Sequence, residues 1–200
     1  MWFYYGYFYK VVCSIEYFKR FGRDALVLEP DTLKERRGKM SEIAEKDYYW
    51  KRLSENLIES GKYSEGKHVR LGLEMINRYE ADTLNNVEEG IAYVKDLGLT
   101  SIGIHLDSYH MNIEETDIKK AIKTSSEALI HFHFADNDRY YPGHGHLDFE
   151  GIMKVLKKIS YSRAIAVEAM PQPDSRIAGK GCVDFLKNYQ SCRAGSINVC

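Results

Sequence analysis

Short apolar runs alternate with longer charged segments along most of the chain. The runs that have the length and the β-branched or aromatic composition of strands are Tyr4–Val12, Ala25–Glu29, Val69–Ile76, Ser101–Leu106, Leu129–Phe134 and Ala164–Val167. Several of the intervening segments are amphipathic, as is typical of helices that cover a sheet. The alternation therefore predicts an α/β fold with a parallel sheet, either doubly wound or closed into a barrel.

Helix start and stop signals divide the charged segments. The predicted helices are Glu16–Phe21, Asn85–Leu97, Ile113–Ala128, Asp148–Ile159 and Cys182–Tyr189, and a charged stretch from Lys34 to about Ser64 has irregular helical spacing. Asn86 and Asp148 are the predicted N-caps, and Gly98 is the predicted stop of the helix that begins near Asn86. No GxGxxG or P-loop sequence follows the first strand, which disfavours a nucleotide-binding sheet.

Composition and charge narrow the class of protein. A chain of 200 residues with 44% hydrophobic and 28% charged residues suits one globular domain. The net charge is −1 and no lysine- or arginine-rich block is present, so no nucleic-acid surface is expected. No apolar stretch approaches the length of a membrane span, so no membrane partner is expected.

The chain start and the cysteines bear on the cellular compartment. Met1–Ile15 is apolar and aromatic, but Lys10 interrupts it and no small-residue cleavage site follows, so a buried strand is preferred over a signal peptide. The 4 cysteines form no CxxC pair, which disfavours a zinc knuckle. Free thiols in a reducing cytoplasm are the preferred interpretation.

Acids and imidazoles stand at the ends of four successive predicted strands. Glu74 ends the third strand, Asp107 follows the fourth, His131 and His133 lie on the fifth, and Glu168 ends the sixth. In a barrel the carboxyl ends of the strands surround one mouth, where active sites are built. The pattern therefore predicts that these side chains share one site.

The types of these residues indicate a metal site. Two glutamates, an aspartate and a histidine form a shell that suits Mn²⁺, Mg²⁺ or Co²⁺. One acid at a strand end is usually a helix cap or a solvated loop residue, but four successive strands with such ends are harder to explain that way. His131 and His133 share a strand face; His133 is the preferred ligand, whereas His131 alone suits a packed core position.

Longer motifs surround these residues. They are Leu73–Glu80, Leu106–Glu115, His131-Phe132-His133, Asn137-Asp138-Arg139, Pro142-Gly143 and Val167-Glu168. With these motifs the sequence resembles the tagatose/psicose 3-epimerase family of xylose isomerase-like TIM barrels. The Asp-x-x-His-Met-Asn-Ile-Glu-Glu run is the most specific of them, and the resemblance covers the chain well from about Asp47 to Tyr189.

The resemblance implies the roles of the strand-end residues. Glu74, Asp107, His133 and Glu168 match the family's four metal ligands, and the implied cofactor is a divalent metal, with Mn²⁺ preferred over Co²⁺ or Mg²⁺. Glu74 and Glu168 match its acid/base pair, on opposite sides of the sugar C3. The implied metal polarises the C2 carbonyl.

The resemblance also implies the groups that hold the substrate. His110 and Arg139 match residues near the substrate oxygens, Glu80 matches a further polar contact, and Phe8 matches an aromatic pocket residue. Two simpler readings stay open: His110 could cap the following helix or face solvent, and Arg139 could be an ordinary loop arginine.

A second pair of histidines is less informative. His144 and His146 stand in the sequence Gly143-His144-Gly145-His146, which could suggest another metal site. A flexible loop is the preferred interpretation, because the interleaved glycines fix no geometry.

The chain has fewer strands than the family. A full (β/α)8 barrel takes about 250 residues, whereas about six βα units are predicted here. The region between Glu29 and Val69 is too short for two further units. The resemblance implies that the third and fourth units of the family are missing, with a join near Lys39 to Tyr48. The expected organisation is one incomplete barrel domain over residues 1–190 with an irregular tail over 191–200.

The function implied is a metal-dependent ketose 3-epimerase that acts on free ketohexoses or ketopentoses through an enediolate. The alternatives are a related aldose–ketose or hydroxypyruvate isomerase, or a catalytically impaired remnant that binds metal or sugar. The expected partner is a small-molecule ketose, and the family's dimers or tetramers suggest a homo-oligomer. The open edges of a shortened barrel leave three outcomes: poor folding, a smaller barrel, or pairing with a second subunit.

Overall fold

The computed structural model describes residues 25–28 and 43–190. In chain order its elements are β1 (Ala25–Leu28), α1 (Ile43–Glu65), β2 (Arg70–Glu74), α2 (Val87–Leu97), β3 (Ile102–Asp107), α3 (Ser108–Glu114), α4 (Ile118–Thr124), β4 (Leu129–Phe134), α5 (Phe149–Lys158), β5 (Ile165–Val167) and α6 (Ser175–Gln190). The predicted strand Tyr4–Val12, the predicted helix Glu16–Phe21, Phe8 and the tail from Ser191 lie outside the described residues.

The chain divides into two compact units, and the division falls inside β3, after Ile104. In the first unit the strand order is β1-β2-β3. β1 and β2 are parallel and pair directly, with Ala25 opposite Arg70 and Leu28 opposite Leu73. The segment between them contains one described helix, α1, and the two strands form one continuous ladder.

Helices α1 and α2 belong to the core of the first unit. Leu57 on α1 and Leu71 and Leu73 on β2 are fully buried. The ring of Trp50 on α1 lies 5.0 Å from that of Tyr93 on α2. These contacts bury one face of each helix, which supplies most of the stability of a helix in a folded protein.

In the second unit the strand order is β3-β4-β5, and β4 and β5 are parallel. Alternate residues of β4, Phe132 and Phe134 among them, are fully buried, and the ring of Phe134 lies 5.3 Å from Phe149 on α5. His131 and His133 are half-buried on the opposite face. Because side chains alternate along a strand, β4 packs on helices with one face and presents imidazoles on the other.

Several predicted boundaries agree with the structure. The strand Leu129–Phe134 is confirmed residue by residue. Asn86 caps α2 by accepting from the backbone N–H of Glu89, and Gly98 ends that helix in the left-handed region at φ 66°. Asp148 caps α5 by accepting from the backbone N–H of Gly151. Local capping chemistry was sufficient at these positions.

Two predicted helices were wrong in extent. The segment predicted as one helix, Ile113–Ala128, forms α3 and α4, separated by an extended Glu115 and by Asp117, which caps α4. The last helix begins at Ser175 rather than Cys182, because the carboxylate of Asp174 accepts from the backbone N–H groups of its first turn. The helical pattern was hard to see in the sequence because Gly179 and Gly181, which disfavour a helix, lie within this segment.

Among the described helices, none combines the length and the apolar composition that a bilayer span requires.

Candidate metal and catalytic site

The strand-end prediction agrees with the structure. Glu74 and Asp107 are the last residues of β2 and β3, His133 is the last but one of β4, and Glu168 follows β5 directly. Each therefore stands at the carboxyl end of its strand, which is the end where parallel α/β folds build their sites.

Three of these residues meet in the second unit. One candidate ligand atom from each of Asp107, His133 and Glu168 lies within 4.8 Å of the others. His133 Nδ1 lies 2.8 Å from Glu168 Oε2. The pairing of β4 with β5 explains this, since His133 stands opposite Ala166 and Glu168 comes two residues later.

The side chain of Ser108 fixes Asp107 beside the end of β4. Ser108 Oγ donates to the carbonyl of Ala135 at 2.7 Å and accepts from its backbone N–H at 3.0 Å. Asp107 also caps α3, because its Oδ1 accepts from the backbone N–H of Tyr109 at 2.8 Å. Oδ1 of the carboxylate is thus held by the backbone of α3, while Oδ2 is available to Arg139.

Arg139 bridges the two carboxylates. Its Nη1 donates to Asp107 Oδ2 at 2.5 Å and its Nη2 lies 3.1 Å from Glu168 Oε2. The guanidinium also lies 4.9 Å from the ring centre of Tyr109. The reading of Arg139 as an ordinary loop arginine is therefore wrong, because its guanidinium forms ion pairs with both strand-end carboxylates.

The backbone of Arg139 is held in an uncommon conformation. Its φ is 64°, a left-handed value that few non-glycine residues adopt. Its carbonyl accepts from the backbone N–H of Met170 at 2.8 Å, two residues after Glu168. This bond ties the arginine to the segment that carries its carboxylate partner.

Asp136 organises the loop that carries Arg139 and was not among the residues predicted from the sequence. It is fully buried, and its carboxylate accepts from the backbone N–H groups of Gly143 at 2.8 Å and Leu147 at 3.1 Å. Its carbonyl accepts from the backbone N–H of Arg139 at 2.9 Å. An aspartate before a loop with two close glycines is a signal of such a turn.

The Gly143–His146 loop accordingly has defined contacts. His144 Nδ1 lies 2.6 Å from Asp138 Oδ2, and the side-chain oxygen of Asn137 accepts from the backbone N–H of His146 at 2.9 Å. The expectation that the glycines fix no geometry here was wrong, because side-chain carboxylate and amide oxygens satisfy the backbone.

His110 belongs to the same surroundings. It lies on α3 and is only 4% exposed, so the reading as a solvent-facing residue is wrong. The reading as a helix cap is wrong as well, because Asp107 caps α3 and Asp117 caps α4. Its electrostatic field acts on the pKa values of both Asp107 and Glu168. At both acids it acts in the same direction as Arg139 and lowers the pKa.

The two acids differ in their proton affinity. The hydrogen bond from His133 lowers the pKa of Glu168 to about 2, with the charge of Arg139 acting in the same direction. Burial raises the pKa of Asp107, and this effect exceeds the opposite pull of Arg139 and His110. The difference has a physical cause: Asp107 is fully buried, whereas the Glu168 side chain is 47% exposed.

The depressed pKa of Glu168 predicts a pH dependence of the metal-free protein. Its contribution to stability is present above pH 4.5, the ordinary pKa of glutamate, and is lost as the pH falls towards about 2. Thermal unfolding between pH 6 and pH 2.5 at low salt should therefore show a steeper loss for the wild type than for Glu168→Gln. Equal losses would contradict the prediction; the opposite contribution of Asp107 is common to both proteins.

Two further predicted site residues, Glu74 and Glu80, belong to the first unit. Glu74 is 3% exposed. Glu80 is exposed, and its Oε1 accepts from Asn77 Nδ2 at 2.9 Å. Their assignment to metal and substrate binding stays a prediction.

The donors of the second unit suit a divalent cation. Asp107 and Glu168 supply carboxylate oxygens and His133 supplies an imidazole nitrogen, all within 4.8 Å of one another. Such a mixed oxygen and nitrogen set is typical of Mn²⁺ and related ions. The cluster is therefore a candidate metal-binding site.

Comparisons with known proteins identify the family to which the chain is similar. Residues 10–188 match the model of a family described as xylose isomerase-like TIM barrels. A ketose 3-epimerase from Arthrobacter globiformis is 40% identical over 101 residues, which cover 50% of this chain and 35% of the relative. A D-psicose 3-epimerase from Enterocloster bolteae is 41% identical over 113 residues, which cover 56% of this chain and 38% of the relative.

A solved structure shows the same fold. The 3-keto-D-glucoside 4-epimerase of Escherichia coli, in its apo form, has a TM-score of 0.82 at 24% identity, over 90% of this chain and 70% of that chain. The match to these two curated relatives spans 35% and 38% of their length.

Proposed function

Because this chain belongs to the xylose isomerase-like TIM barrel family, we propose that it is a divalent-metal-dependent ketose 3-epimerase. The observation that carries the proposal is the convergence of Asp107, His133 and Glu168 at strand ends, with Arg139 bridging the two carboxylates. The names of the curated relatives support the reaction class.

The proposed metal ligands are Glu74, Asp107, His133 and Glu168. The last three form the cluster described above, and Glu74 joins them on the strength of its position at the end of β2 and of the motif around it. When bound, a divalent cation, with Mn²⁺ as our first choice and Co²⁺ or Mg²⁺ as alternatives, would polarise the ketose carbonyl as a Lewis acid.

The proposed chemistry of the chain is a proton transfer at C3. One of Glu74 and Glu168 removes the C3 proton as a carboxylate, and the other returns a proton to the opposite face, which inverts C3 with no net gain or loss of atoms. The low pKa of Glu168 keeps this residue ionised at neutral pH. His110 and Arg139 would hold the substrate oxygens and stabilise the enediolate charge, and Glu80 would add a polar contact.

Further properties are proposed from the resemblance. The substrates would be free ketohexoses or ketopentoses, and the protein would form a homodimer or tetramer in the cytoplasm. Residues 1–190 would form one incomplete barrel domain, with the join near residues 39–48.

The test is an incubation with fructose, psicose or tagatose and Mn²⁺, followed by product analysis. We expect C3 epimers in each case. Products with a moved carbonyl would indicate a related isomerase instead. Metal-dependent stabilisation without conversion would indicate a remnant that binds metal and does not turn over.

A further inference from the structure

Three histidine rings are packed against one another in the second unit. His105 is fully buried on β3. Its ring centre lies 4.1 Å from that of His133 and 5.1 Å from that of His131, and the latter two are 4.9 Å apart. A strand position two residues before Asp107 places His105 on the same face as the acid, so the three rings lie next to the carboxylate cluster.

The nitrogen atoms of these rings are close enough to act together. One ring nitrogen from each of the three histidines lies within 4.8 Å of the other two. Three imidazoles with an open fourth position form a common type of zinc site, with Zn–N distances of about 2.0–2.1 Å. Binding of zinc would require small rotations of the rings to reach those distances.

The chemistry of this group differs from that of the carboxylate cluster. Imidazole nitrogens favour Zn²⁺, and carboxylate oxygens favour Mn²⁺ or Mg²⁺. The divalent series favours Zn²⁺ over Mn²⁺ at nitrogen and oxygen sites alike, so the type of ligand and its geometry distinguish the two groups. The two groups share His133, so one imidazole would serve either set.

We propose that His105, His131 and His133 form a zinc site made of nitrogen ligands alone, separate from the carboxylate set except at His133. Occupation of this site would exclude a metal ion from the carboxylate set, because the sites share a ligand and two adjacent divalent cations repel each other. The inference does not depend on the epimerase assignment.

The test measures Zn²⁺ affinity of the full chain by competition with a chromophoric chelator, without any sugar. We expect His105→Phe, which keeps a ring of similar shape, to weaken Zn²⁺ binding by at least about 100-fold, since even groups that only support a ligand are worth about 10–100-fold. His131→Gln should have the same effect and guards against misfolding of the first variant. Asp107→Asn should bind Zn²⁺ about as tightly as the wild type.

The matched control is His144→Gln, which removes an imidazole outside the group. Loss of Zn²⁺ binding in Asp107→Asn, with binding kept in His105→Phe and His131→Gln, would overturn the proposal and place zinc on the carboxylate set. The proposal would also be overturned if His105→Phe, His131→Gln and Asp107→Asn all retained Zn²⁺ binding, or if all three lost it. Since no turnover is measured, failure of the epimerase proposal would leave this result unaffected.

Discussion

Replacing Glu168 with glutamine is expected to lower the rate of the proposed ketose epimerisation by about 10³-fold, within the range of general acid–base catalysis. Glutamine has nearly the same shape but neither accepts the C3 proton as a carboxylate nor pairs ionically with Arg139 and His133. The measurement is the rate of C3 epimer formation at saturating Mn²⁺, followed by chromatography of the sugars.

The matched control for this change is Glu127→Gln. Glu127 is exposed on the turn before β4, and its replacement should leave the rate within about two-fold, as is usual for surface substitutions. A Glu168→Gln protein that turns over within ten-fold of the wild type while remaining folded would contradict the proposed role. Saturating metal is required because the same change also removes a proposed ligand.

Replacing Asp107 with asparagine is expected to weaken Mn²⁺ binding by at least about 100-fold, more than the loss of a supporting group costs. Asparagine can still accept the hydrogen bond from the backbone N–H of Tyr109, so the cap of α3 is preserved. It lacks the negative charge that a hard cation requires from its ligand. Mn²⁺ binding is measured from the electron paramagnetic resonance signal of the free ion.

The change is also expected to leave the fold intact. Burial raises the pKa of Asp107, so a neutral side chain at this position avoids the cost of a buried charge. Asp96→Asn, an exposed position on α2, is the control for charge removal. Unaltered Mn²⁺ affinity in Asp107→Asn would contradict the assignment of this residue as a ligand.

Arg139 links these two predictions. In the structure it supplies the positive charge between Asp107 and Glu168, where a cation is also proposed to bind. Each substitution removes one of its carboxylate partners, so the remaining acid and the arginine form a pair of opposite charge. The loop around Asp136 holds the arginine backbone in place, which limits how far its guanidinium can follow that remaining partner.

Local sequence patterns were sufficient for an α/β fold with a parallel sheet and for the positions of the strand-end acids, whereas the barrel type came from the family resemblance. Apolar runs define β2 to β5, and side-chain caps at Asn86 and Asp148 define the starts of α2 and α5. These features depend on residues within a few positions of one another, so one sequence contains them. The same holds for the placement of Asp107 at the end of β3 and of Glu168 directly after β5.

The sequence was insufficient to predict helix boundaries where a capping residue competed with the helical pattern around it. Asp117 offered a cap inside a segment that otherwise had a helical pattern, and α3 and α4 separate there. Asp174 initiated α6 before the apolar pattern became visible. In both cases a single carboxylate outweighed the propensity of its neighbours by satisfying backbone N–H groups.

By itself, the sequence determined a βα fold of the xylose isomerase-like type and the kinds of side chain at its strand ends. Only the tertiary structure decided that Arg139 bridges Asp107 to Glu168 and that His105 packs against His133. The residues in such contacts are far apart in the chain. The separation is 28 positions for His105 and His133, 32 for Asp107 and Arg139, and 35 for His133 and Glu168. The geometry of these contacts follows from the pairing of neighbouring strands and from loop hydrogen bonds between residues far apart in the chain, which no local pattern specifies.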